Sequence, residues 1–181
     1  NIAGWVGADT TAVILATALH THTEPALAID IGTNGEMALG SRERLVACST
    51  AAGPAFEGAQ LSCGMRAADG AIDAVRINHR VEYHTIGETP ARGICGSGLV
   101  DLAAGMLSAG VIDETGMMHD ADALRAAWAQ AGRDGTEIAE RLVHVGRQKG
   151  FALVSAGEGA GGRPLLLTQR DVRELQLAKG A

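Results

Sequence analysis

The stretch AIDIGTNGEM (Ala28–Met37) sets one acid, Asp30, in an apolar run, then a Gly-Thr-Asn-Gly turn, then a second acid, Glu36. Alternation on both sides of a turn predicts a β-hairpin. A three-residue loop Thr33-Asn34-Gly35, with Gly35 left-handed, pairs Gly32 with Glu36, Asp30 with Ala38 and Ala28 with Gly40. Paired residues share a face. One face then carries Ala28, Asp30, Gly32, Glu36, Ala38 and Gly40. The other carries Leu27, Ile29, Ile31, Met37 and Leu39, and is expected to be core. Small residues around an acid leave room for something to approach the backbone. Asp30 suits a hard cation, bound directly or through water. The turn N–H groups suit phosphate oxygens, and the Thr33 hydroxyl and Asn34 amide add donors. The same residues also fit a tight hairpin packed on another backbone. A two-residue Asn34-Gly35 loop would shift the pairing, and the pattern alone leaves these readings open.

The bulk numbers narrow the function classes. The 181 residues are 46% hydrophobic but only 3% aromatic, so the core must be built from Ala, Val, Leu and Ile. A net charge of -6 lacks the basic footprint of a nucleic-acid binder. One Tyr, two Phe and two Trp give no platform for stacking bases. Cys48, Cys63 and Cys95 are odd in number and form no C-x-x-C, which fits reduced, buried thiols of a cytoplasmic protein. No signal peptide or apolar run of about 18 residues predicts a membrane span. The two ends read as cuts in a longer protein.

Along the chain, Asp9 is a candidate cap for a buried helix reaching about His20. Strands are expected at 26–32, 36–40 and 44–50. The stretch 53–70 is rich in Gly and Ala and resists assignment. Residues 71–78 and 81–87 form a hairpin around His79-Arg80. A helix covers 96–110, closed by Gly110. A more polar, Ala-rich insert spans about 113–141 with a helix at 121–131. Two strands then follow, at 141–146 and 151–157, then a Gly-rich turn at 157–164. Thr168 and Asp171 predict a capping box at the start of a last helix. This order points to an α/β or α+β layer structure. Within it, GICGSG (93–98) reads as a helix entrance that offers backbone N–H groups to an anion, with Ser97 as N-cap and Gly96 beside it. No Lys follows, so it is not a Walker A loop. Close packing plus a cap is the plainer reading of the same residues.

DIGTNGE (30–36) resembles a phosphate loop of the actin/Hsp70/sugar-kinase ATPase superfamily. Further stretches sharpen the likeness: GWVGADTTA (4–12), STAAGPAFEGAQLSCGMRAADGAI (49–72), GICGSGLVDL (93–102) and LTQRDVRELQLAKGA (167–181). Together they resemble the ATP-dependent reductive activators of corrinoid proteins, over most of the chain except about 113–148. The resemblance implies an actin-like (ribonuclease H-like) ATPase fold fragment of α/β class. It would have a mixed sheet with β-hairpins and flanking helices, and its phosphate-loop hairpin at 26–40. It implies ATP and Mg2+ as ligands, with Asp30, Gly32, Thr33, Asn34 and Gly35 on the phosphates and Asp30 nearest the metal. Glu57 would orient water if its loop folds over that site.

Such activators use ATP to drive an electron from a 2Fe–2S domain onto the Co(II) corrinoid of a methyltransferase system, giving Co(I). That domain's Cys cluster, an upstream Asp-Ile-Gly-Thr loop and a downstream adenosine motif are missing here, so the chain reads as a central fragment. The implied partner is a corrinoid protein, and a homodimer is compatible. Two other readings stand beside this one. The first is a small-molecule kinase of the same fold. The second is a non-catalytic docking or dimerisation module for a corrinoid protein.

Overall fold

The computed structural model describes residues 6–181; Gly4 and Trp5, the start of the 4–12 stretch, lie outside them. The chain divides into two compact units, Asn1–Pro54 with Leu177–Ala181, and Ala55–Gln176.

In the first unit, helix α1 (Ala8–Ala16) precedes a meander of β1 (Ala26–Ile31), β2 (Asn34–Gly40) and β3 (Leu45–Ala51), antiparallel in the order β1-β2-β3. The helix ends at Ala16, earlier than expected, and a short 3-10 turn takes over at Leu19–Thr21. Its cap position is Gly7, not Asp9; the Asp9 carboxylate accepts the neighbouring Thr10 N–H at 2.9 Å. Nor is the helix buried all round. Only Thr10 and Ile14 are buried, and Leu15 is exposed.

The hairpin differs from expectation in register and in orientation. Ile31 pairs with Gly35, Asp30 with Glu36 and Ala28 with Ala38, so the connection is Gly32-Thr33-Asn34. No residue in it, nor Gly35, has a positive φ. Gly35 is a strand residue paired with Thr50. The shift is by two positions, so each residue keeps its face. Which face is core is reversed. The small-residue face packs under α1, where Ala38, Ile14 and Leu19 form the unit's core with Ala26, Ala28, Leu45 and Ala47. The other face lies open, with Leu27 56%, Ile29 55% and Ile31 64% exposed. Alanines and glycines let a helix come close to a sheet; a row of Leu and Ile would hold it off.

In the second unit, β4 (Ala71–Ile77) pairs antiparallel with β5 (Val81–Thr85) and parallel with the short β6 (Gly93–Ile94), which makes a small mixed sheet. Helix α2 (Gly96–Ser108) buries Leu99, Leu102 and Met106. Helices α3 (Ala121–Gln130) and α4 (Thr136–Glu140) follow. A third sheet holds β7 (Leu142–Val145), β8 (Gln148–Val154) and β9 (Leu165–Thr168) in that order. β6 and β9 are too short for periodicity to reveal. Phe151, Leu153, Leu167, Ile138 and Trp128 join the α2 residues in one core. The Trp128 indole N–H meets its need at the Ala109 carbonyl, 2.8 Å away.

Helix α5 (Gln169–Gly180) opens with the expected capping box. The Asp171 carboxylate accepts the Thr168 N–H and hydroxyl at 2.7 and 2.8 Å, and the Asp171 N–H returns to the Thr168 oxygen at 3.3 Å.

Candidate functional site

The first unit brings Asp30, Gly32, Thr33, Asn34 and Gly35 together in one hairpin. Asp30 is half-buried on the small-residue face, while Thr33 and Asn34 are exposed at the turn. The turn is pinned from outside: the Thr33 carbonyl accepts the Ala52 and Gly53 N–H groups at 3.1 and 2.9 Å. One expected anion donor is already committed, because the Gly32 N–H goes to the Asn34 carbonyl at 3.2 Å. Space beside Gly32 is open. A Cβ there would meet only the Asn34 oxygen, at 3.7 Å.

Glu36 stands directly across from Asp30 on the same face and is only 6% exposed. Its carboxylate accepts the Thr10 hydroxyl, the Gly7 N–H at 3.3 Å and the Ser49 hydroxyl at 3.5 Å. Sequence reasoning placed Glu36 on this face but gave it no role. The available signal was its position opposite Asp30, since two carboxylates side by side need compensation. Among the described residues, no group of three His, Cys, Asp or Glu side chains stands close enough to hold a metal ion.

The second unit holds the other predicted residues. Glu57 ends a 3-10 turn, Pro54–Glu57, and is exposed. Its neighbour Phe56 lays its carbonyl oxygen against Gly96, where a Cβ would collide with it. A Cβ on Gly98 would likewise collide with the Ile72 carbonyl oxygen. Both glycines are therefore needed for close backbone packing. Ser97 is not the N-cap. That position is Cys95, and the Ser97 hydroxyl donates to the Asp73 carbonyl at 2.8 Å. The α2 entrance keeps its backbone amides but loses the expected hydroxyl donor.

Two thiols of this unit, Cys63 and Cys95, are buried, and neither matches the reactive pattern of an exposed thiol beside a cation. Burial, reinforced by the Asp171 charge, pushes the Cys63 thiol up to about 12.

A family model described as the C-terminal domain of RACo, the ASKHA domain, matches residues 24–181. The chain is 43% identical over 182 residues to the corrinoid activation enzyme RamQ of Eubacterium limosum, covering 99% of this chain and 29% of that protein. It is 48% identical over 71 residues to the [Co(II) methylated amine-specific corrinoid protein] reductase of Methanosarcina barkeri, 39% of this chain and 13% of the relative. A solved chain described as a reductive activator for corrinoid, iron-sulfur protein superposes with a TM-score of 0.86 at 40% identity. It is matched over 100% of this chain and 27% of its own. The chain thus spans under a third of the length of these relatives.

Proposed function

The chain belongs to the family of the RACo C-terminal ASKHA domain, an actin-like fold, and we propose that the whole protein is an ATP-dependent reductive activator of a corrinoid protein. In this reading, one electron leaves a reduced 2Fe–2S domain outside this chain and reduces Co(II) of the corrinoid substrate to Co(I). Binding and hydrolysis of ATP bias the step. The observation that supports the reading most is a 43% identical match, covering 99% of the chain, to an enzyme described as activating corrinoids. Nucleotide binding belongs to the ASKHA family; ATP with Mg2+ is our assignment here. The surroundings are the cytoplasm, the partner is a corrinoid protein, and assembly as a homodimer is part of the proposal.

The residues of the hairpin fit that ligand. Asp30 offers hard oxygen atoms on a face of small side chains, with open space at Gly32. Mg2+ takes one or two carboxylates and draws its remaining ligands from water and phosphate. When bound, it would neutralise charge on the phosphates. Asp30 orients the ion or its water. Thr33 and Asn34 present donors to phosphate oxygens from a turn that the Ala52 and Gly53 amides hold still. The roles of Glu57 in orienting water and of Gly96 and Ser97 as backbone-amide donors, all three in the second unit, are carried by the family resemblance alone. Catalysis on this basis is positioning and electrostatic stabilisation.

The test is Asp30→Ala in the full-length protein, following ATP-dependent conversion of Co(II) to Co(I) by its visible spectrum. We expect a loss of about a hundredfold or more. An unchanged rate overturns the role of Asp30.

A docking role is favoured by one observation, the bare apolar face of Leu27, Ile29 and Ile31. It predicts that Ile29→Lys abolishes capture of the corrinoid protein while Asp30→Ala leaves both capture and reduction intact.

A further inference from the structure

Resting on the nucleotide reading above, we infer that Glu36 is a positioning residue for the phosphate loop and not a second metal ligand. The two acids of the hairpin share a face and stand opposite each other. Their surroundings separate their tasks. Glu36 is almost wholly buried, and its oxygens are occupied. One takes the Thr10 hydroxyl, and the other takes the Gly7 N–H and the Ser49 hydroxyl. Thr10 is itself buried. A carboxylate so engaged has little lone-pair capacity left for a cation, whereas half-buried Asp30 has it.

The clamp joins three pieces of the first unit. Glu36 follows the phosphate loop directly on β2. Thr10 and Gly7 lie at the start of α1, and Ser49 lies on β3. The negative charge at the entrance of α1 is also favoured by the helix dipole. Removing the carboxylate leaves the Thr10 hydroxyl buried without an acceptor and frees the first residue after the loop. The loop then loses its tie to α1 while keeping the Ala52 and Gly53 amides on Thr33 and the pairing of Asn34 and Gly35 with β3.

The experiment uses the full-length protein and measures MgATP affinity by calorimetry beside the thermal midpoint, for Glu36→Ala, Glu36→Gln, Thr10→Val, Asp30→Ala and Ile14→Ala. Glu36→Ala and Thr10→Val should each weaken MgATP binding about tenfold, the scale of one hydrogen bond to a charged group. Their double variant should be no worse than Glu36→Ala. Glu36→Gln, which keeps one acceptor oxygen for Thr10, should lose less. Ile14→Ala loosens the same helix through the core, and should lower the midpoint while leaving MgATP affinity unchanged.

If Ile14→Ala weakens binding as much as Glu36→Ala, Glu36 is merely structural and the inference falls. If the Glu36 and Thr10 variants bind normally while Asp30→Ala does not, the inference falls and the nucleotide reading stands. If Asp30→Ala also binds normally, both fall. Should Glu36→Ala fail to fold, Glu36→Gln and Thr10→Val carry the same comparison.

Discussion

The Asp171 carboxylate accepts the Ser62 N–H at 2.9 Å and its hydroxyl at 3.2 Å across 109 positions of sequence. The same carboxylate caps α5 through Thr168. One side chain, 1% exposed, therefore fixes the Gly- and Ala-rich stretch after Glu57 to the start of the last helix. Asp171→Ala strips acceptors from two backbone amides and two hydroxyls. It should cost about 2–4 kcal/mol, combining a lost cap with unpaired buried donors. Urea unfolding measures this, and a cost below about 0.5 kcal/mol would mean water replaces the carboxylate without loss.

Cys63 should resist chemistry that Cys48 accepts. Its thiol is buried and pushed up to about 12, while Cys48 is exposed. Because the thiolate is the nucleophile, iodoacetamide at pH 8 should label Cys48 and spare Cys63 until the chain unfolds. Mass spectrometry of the labelled peptides decides it; equal labelling of both would contradict the burial. The sign of the linked pH effect follows. The folded thiol holds its proton to a higher pH than the unfolded one, whose ordinary value is 9.0. Its contribution to stability is complete below pH 9 and is lost as pH rises towards 12. Cys63→Ala should flatten the alkaline limb of a stability–pH curve.

Gly98→Ala separates close packing from anion binding at the α2 entrance. An added methyl group meets the Ile72 carbonyl oxygen, so the variant should lose about 1–3 kcal/mol. Ser97→Ala should lose less, about 0.5–1.5 kcal/mol for one hydrogen bond to the Asp73 carbonyl. The reverse order in thermal unfolding would restore Ser97 as the more important residue.

The open face of the meander gives a prediction by contrast. Leu27→Lys or Ile29→Lys changes a side chain that is already more than half exposed and should alter stability by no more than about 0.5 kcal/mol. Ala38→Leu, on the opposite face beneath α1, should cost about 1–3 kcal/mol through overpacking. If the lysine variants unfold the chain instead, that face is core and the orientation described here is wrong.

These contrasts show where sequence reading reached and where it stopped. Period-2 alternation located β1 to β5, and Thr168 with Asp171 announced the capping box, because each is a local signal. Residues 30–36 and four further stretches carried a family likeness over most of the chain except about 113–148, and the family model matches residues 24–181. The hairpin register slipped because Gly35 offered a left-handed turn that the chain does not use; Gly32 enters the connection instead. The core face was misjudged because hydrophobicity alone says that Leu27, Ile29 and Ile31 need cover, not what supplies it. The helix instead lies on alanines, where its backbone can approach. The clamp on Glu36 and the bond between Ser62 and Asp171 escaped for one reason. Their partners lie far off in sequence, and nothing in spacing reveals a tertiary hydrogen bond.

The double acceptance at the Thr33 carbonyl carries a lesson for anyone altering this chain. A turn tied by two consecutive amides tolerates no change of spacing at residues 52 and 53, since a single inserted residue would tear one tie or twist both. The exposed Asn78–Arg80 turn keeps one internal backbone hydrogen bond and an exposed ion pair between Arg80 and Glu82, and among the described residues none distant in sequence is tied to either. A fluorescent label or affinity handle belongs there, where it would leave the loop beside Asp30 in its original setting.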